Sequence, residues 1–172
     1  MVKQTLWVER RFNFDYPIGI FPCVVERMRG TPARLEEIVR HSPPAILTRR
    51  FDGGWSIQEQ AGHLWDLEAL WEKRLNDFRS GAAVLTAADM TNRKTHEANH
   101  NAAPIQKILE EFRKARRDLV SHLEVLTDEE VGRSSLHPRL NIPMRLVDWC
   151  YFMAEHDDHH IARIVALGRN RT

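Results

Sequence analysis

Cysteine is nearly absent from this chain, and the two that occur, Cys23 and Cys150, stand too far apart and too alone to form a disulfide framework. Both sit in apolar helical surroundings, so they read as buried, reduced thiols. An excess of either charge is also missing: 25 basic residues face 24 acidic ones, and no global field draws the chain to nucleic acid or an anionic membrane. Nowhere does an apolar run approach the roughly 18 residues of a membrane helix. The opening MVKQTLWVERRFNFDYP lacks the apolar core of a signal peptide. The expectation is a cytoplasmic protein with neither a nucleic-acid nor a membrane partner. Internal repeats, low-complexity tracts and linkers are lacking as well, so residues 1–172 read as one domain, large enough to bury a core without staples.

What the chain does have is apolar spacing of helical period. From Arg145 to Leu167 a stripe runs through Leu146, Trp149, Met153, His156, His160, Ile164 and Leu167. A second helix starts at Ser56, where Ser56 and Glu59 form a capping box. It runs to about Arg79, with Ile57, His63, Leu64, Leu67, Leu70, Trp71, Leu75 and Phe78 inward. A third spans Pro104 to Leu126 through Ile105, Ile108, Phe112, Ala115, Leu119, Leu123 and Leu126, and its charged residues, Arg113 and Arg117 among them, read as a solvated face. Ile18 to His41 is helical too. There Gly30-Thr31-Pro32 either kinks the helix or restarts it with Thr31 as N-cap. Residues 1–17 read as an extended arm or short strand, 81–103 as loop with a helical turn or two, Thr127 to Glu130 as the cap of a short helix, and 134–143 as a plain connection. Four amphipathic segments predict an all-α four-helix bundle with short additional helices and an extended N-terminal arm.

The stripe of the last helix turns from apolar to imidazole and back. His156 and His160 are one turn apart, the spacing by which a helical pair chelates a transition metal. His63 shares the inward face of its own helix and is the candidate third ligand. Three neutral imidazoles would leave a divalent cation with open positions, as catalytic sites do. Glu59, four residues before His63, is a candidate acid or base that competes with its capping role. Asp157 and Asp158 are placed to orient a ligand ring, and His159, on the flank, reads as a supporting or surface residue. His96 and His100 repeat the four-residue spacing in a segment without an apolar stripe, so an exposed turn is their expected home. Together with Asp89 and Asn92 they could edge a substrate pocket, and Arg139 could grip an anionic group there.

Two segments carry a resemblance. W-S-I-x-E-x-x-x-H-L at Trp55 to Leu64 and A-E-H-D-D-H-H at 154–160, supported by D-M-x-N at Asp89 to Asn92, are similar to the DinB/YfiT-like superfamily of metal-binding four-helix bundles. The resemblance implies one divalent metal, commonly nickel or zinc, on His63, His156 and His160, and a homodimer. It implies metal-dependent hydrolysis or thiol-dependent S-transfer on a small molecule, possible use of a low-molecular-weight thiol, and, as the alternative, a bundle that only binds metal or ligand.

Overall fold

The computed structural model describes residues 2–169. Its long helices form where the apolar stripes lie. Helix α1 (Phe21–Arg29) and α2 (Thr31–Arg40) together make one broken arm, followed by the short α3 (Pro44–Leu47). Helix α4 spans Ile57–Ser80, α5 Arg93–Glu97, α6 Ile105–Leu123 and α7 Asp128–Gly132. Strands β1 (Ser134–His137) and β2 (Ile142–Arg145) pair antiparallel, Ser134 opposite Arg145 and His137 opposite Ile142, and α8 (Leu146–Arg169) closes the fold. The architecture is a four-helix bundle. Helix α4 packs on α6 and α8, and α1/α2 pack on the same two helices.

Local chemistry sets the ends that matter. Ser56 Oγ accepts the Glu59 amide and the Glu59 carboxylate accepts the Ser56 amide, which fixes the start of α4. Gly81, at φ 69°, stops the helix in the left-handed region. The break after α1 differs from the N-cap expectation. Thr31 lies inside α2, and its hydroxyl donates to Asp157 Oδ2 at 2.8 Å instead of capping.

The connection 134–143 is not plain but a two-stranded hairpin, and Leu136 bonds onward to Ala83 and Leu85. Residues 2–17 are an extended arm with a single turn at Trp7–Glu9. Its Trp7, Phe12 and Phe14 rings meet Phe152 of α8 in tilted and edge-to-face contacts. Cys150 is fully buried, whereas Cys23 is exposed, because it faces outward from a helix whose inner stripe is Phe21, Val24, Val25 and Met28.

Two apolar clusters make the core. One gathers α1, the later halves of α4 and α6 and the first half of α8; the other gathers α2, α3, the earlier halves of α4 and α6 and the end of α8. Each of the three long helices passes from one cluster to the other across buried polar side chains: Glu68 on α4, Arg116 on α6, and His156, Asp157 and His160 on α8. The bundle therefore has a polar waist. No helix among the described residues is long and apolar enough to cross a membrane.

Candidate metal centre

At that waist His63, His156 and His160 are 4%, 5% and 8% exposed, and a nitrogen from each lies within 4.8 Å of the others. Ring centroids are 5.4 Å apart for His63 and His156, 4.7 Å for His63 and His160, and 4.4 Å for His156 and His160. One turn of α8 brings the Nε2 atoms of His156 and His160 to 3.1 Å.

The outer nitrogens explain the orientation. His160 Nδ1 donates to Gln60 Oε1 at 2.6 Å. His63 Nδ1 donates to Thr95 Oγ1 at 3.0 Å, and the Thr95 hydroxyl donates in turn to Asp66 Oδ2 at 2.9 Å. Asp66 also accepts His100 Nε2 at 2.8 Å. With Nδ1 protonated, each of these rings turns an Nε2 lone pair inward. His156 Nδ1 is buried without a partner, between the Trp7 and Trp71 rings.

The Nε2 lone pairs of His63 and His160 face the space they share with His156 Nε2, so the donor set fits a divalent metal ion. Burial lowers the His63 pKa to about 4 against the opposing field of Asp66, and burial followed by the neighbouring imidazoles holds His156 and His160 well below the ordinary value. All three are neutral at pH 7, the form that ligates. Among the described residues no fourth histidine, cysteine or carboxylate joins them. Instead the rings open on a cavity of about 210 Å³ walled by Trp7, Trp55, Leu67, Leu70, Trp71 and Phe152.

A sequence profile of the DinB superfamily matches residues 27–164. The chain belongs to the DinB superfamily. Among solved structures, this DinB chain is similar to YfiT from Bacillus subtilis, described as a probable metal-dependent hydrolase with an unusual four-helix bundle topology. The TM-score is 0.81 at 21% identity, over 94% of this chain and 93% of that one, which establishes the shared fold. No curated protein matches the chain.

Several residues singled out from the DinB sequence sit elsewhere than expected. Glu59 does not reach the cavity: its carboxylate is held by the Ser56 amide and by Arg50 Nε at 2.9 Å, which with Ser56 keeps its pKa low. Asp157 accepts from Thr31 and Arg116, and Asp158 from Arg27 and Arg34, so neither orients a ligand ring. Charged partners on α1, α2 and α6 outcompete the imidazoles for them.

His96 and His100 do not line the cavity. His100 is buried rather than exposed, drawn in by Asp66, while His96 is exposed with its ring 5.6 Å from Trp55. Asp89, Asn92, Arg139 and His159 do line it. Gln60, Asp66, Thr95 and Trp7 went unread. A signal existed for Gln60: it stands three residues before His63, on the same face of α4.

Proposed function

We propose that this DinB protein is a metal-dependent hydrolase of a small molecule, with one divalent cation, nickel or zinc, on His63, His156 and His160. The observation that carries the reading is a three-imidazole site, neutral at pH 7, that opens on a cavity walled by aromatic side chains. A structural site is closed by a fourth protein ligand; a catalytic one keeps that position for water or substrate.

A divalent cation in this place supplies Lewis acidity and makes a water or thiol a better nucleophile at neutral pH. The chain supplies orientation and an apolar wall. Thr95 and Gln60 hold two of the ligand rings in the tautomer that ligates, and Trp7, Trp55, Trp71 and Phe152 line the cavity beside them.

Asp89 is the one carboxylate among the cavity residues, and it is occupied by the Thr91 amide and hydroxyl and the Arg93 amide. His159 Nδ1 accepts from Gln4 Nε2 at 3.1 Å, which leaves a proton on its Nε2, and burial lowers its pKa to about 4 so that the ring is neutral. A neutral ring in the cavity wall can donate a hydrogen bond to negative charge that develops on a substrate oxygen.

The test is elemental analysis of protein purified without chelator or affinity metal, beside His63→Ala and His160→Ala, with a panel of esters, amides, epoxides and thiol conjugates. About one metal per chain and hydrolysis lost in both variants are expected. Stoichiometric metal with no turnover of any compound leaves a binding protein. Turnover confined to thiol conjugates makes it an S-transferase, and absence of metal ends the reading.

A further inference from the structure

One turn of α8 before His156, the wall of the same cavity becomes cationic. Phe152 precedes His156 by four residues; the Arg139 guanidinium stands 5.7 Å from its ring and the His137 ring 5.2 Å. Arg74 of α4 completes the group, and all three line the cavity.

Their hydrogen bonds do not close. Arg139 Nη2 is buried with no partner. Arg74 is 2% exposed, and its Nε donates to Thr86 O at 2.9 Å. The Leu140 amide meets His137 Nδ1 at 3.2 Å and Arg74 Nη1 meets Nε2 at 3.3 Å. A neutral imidazole has only one acceptor nitrogen, so one of these two N–H groups lacks an acceptor.

Charge tells the same story. Among the described residues neither Arg74 nor Arg139 is in an ion pair. Asp77, which acts on Arg74 from a distance, accepts the Thr86 amide. Asp89 is occupied as described above. Buried cations normally come paired, because an uncompensated buried charge is costly. Here burial lowers the Arg74 pKa to about 10, with Asp77 opposing and Arg139 adding to the fall.

We propose that Arg74, His137 and Arg139 form an anion site within the cavity, and that the molecule acted on at the three-histidine face is a small organic carboxylate whose carboxylate docks there. The second clause rests on the proposed metal site; the first does not. Three donors around an apolar pocket suit a monoanion spread over two oxygens in a plane, the shape a guanidinium fork matches. A cavity of about 210 Å³ suits the reacting end of a small molecule. The cationic group flanks Phe152, which lies one helical turn from His156, so both ends of the occupant meet the same cavity.

Benzoate, benzamide and inorganic phosphate distinguish the possibilities when titrated into metal-free protein. The readouts are tryptophan fluorescence, since Trp7, Trp55 and Trp71 line the cavity, and calorimetry. Benzoate is expected to bind about tenfold or more tighter than isosteric benzamide, and Arg139→Gln to lower benzoate affinity by about tenfold while leaving benzamide unchanged. Arg139 stands in a turn outside the helical core, so its replacement spares the fold, and Arg139→Lys should fall between, having the charge without the fork.

Equal binding of benzoate and benzamide, or a benzoate affinity indifferent to Arg139→Gln, overturns the proposal. So does benzoate binding that appears only after metal is added, and so does phosphate bound in preference to benzoate. If the protein proves to hold no metal while benzoate binding still depends on Arg139, the anion site stands and the hydrolase reading falls.

Discussion

Gly62 has no side chain because His100 occupies the place of one. A Cβ there would lie 2.3 Å from the His100 ring. His100 holds Asp66, Asp66 holds Thr95, and the Thr95 oxygen holds His63 Nδ1–H, so the approach of one ring to a glycine reaches the metal ligand in three hydrogen bonds. Gly62→Ala is expected to displace His100 and loosen that chain. Thr95→Val removes the acceptor alone, leaving a buried N–H unpaired. Second contacts of this kind are worth about 10- to 100-fold in metal affinity, so Thr95→Val should weaken metal binding by that factor and Thr95→Ser should restore it, as read by competition with a chromogenic chelator. Equal affinity in Thr95→Val would mean that His63 needs no orienting partner. In the sequence the histidines were legible because their spacing marks one helix face. Thr95 and Asp66 were not, because a contact across 29 positions between the short α5 and α4 leaves no periodic trace.

Among the elements, α4, α6 and α8 were readable from amphipathic spacing, and α4 could be started at Ser56 because both halves of its capping box are local. The β1–β2 hairpin was not readable. The buried positions of β1 are Ser135 and His137, polar residues that hide a period-two pattern, and β2 contains Pro143, which argues against a strand unless it lies at an edge. Yet the hairpin carries His137 and, in its turn, Arg139. Asn141 closes that turn at φ 53°, its amide donating to His137 O at 2.8 Å. A residue with a Cβ and no local polar group pays about 1–2 kcal/mol in the left-handed region. Asn141→Ala should therefore lower stability by about 1 kcal/mol in urea unfolding, and weaken benzoate binding as Arg139 shifts, while Asn141→Gly preserves both. Metal content should stay unchanged in either variant, because α4 and α8, not the hairpin, hold the three histidines. Loss of metal in Asn141→Ala would show that the hairpin supports the metal centre as well.

Across the whole molecule the waist is tied by one side chain. Arg116, on α6, bonds Glu68 of α4 at 2.6 Å, Asp157 of α8, and Met28 O at the end of α1 at 3.2 Å, so all four arms of the bundle meet at a single buried guanidinium. The spacing had room for it: Arg116 falls four after Phe112 and three before Leu119, on the inner stripe, where the sequence reading preferred Ala115 for being apolar. One cation shared by two buried carboxylates leaves a net negative charge. Burial accordingly raises the Glu68 pKa from 4.5 to about 7 in spite of Arg116, so the triad retains a proton at neutral pH. Where the folded pKa is the higher, the unfolded chain ionises first, and stability falls as pH rises from about 4.5 to about 7, by at most about 1.4 kcal/mol per unit. Five histidines oppose this. His63, His137 and His159, lowered to about 4, and His156 and His160, lowered further, stay neutral when folded while the unfolded chain takes up protons below about 6.5. That gives a stability that rises with pH through the same window. The metal-free protein should thus lose stability on acidification from pH 6.5, and Glu68→Gln, which deletes only the opposing slope, should make that loss steeper. Urea unfolding of both proteins at intervals between pH 4.5 and 7 reads the difference. Parallel curves would mean that Glu68 is ionised in the folded protein and that Arg116 suffices for both carboxylates.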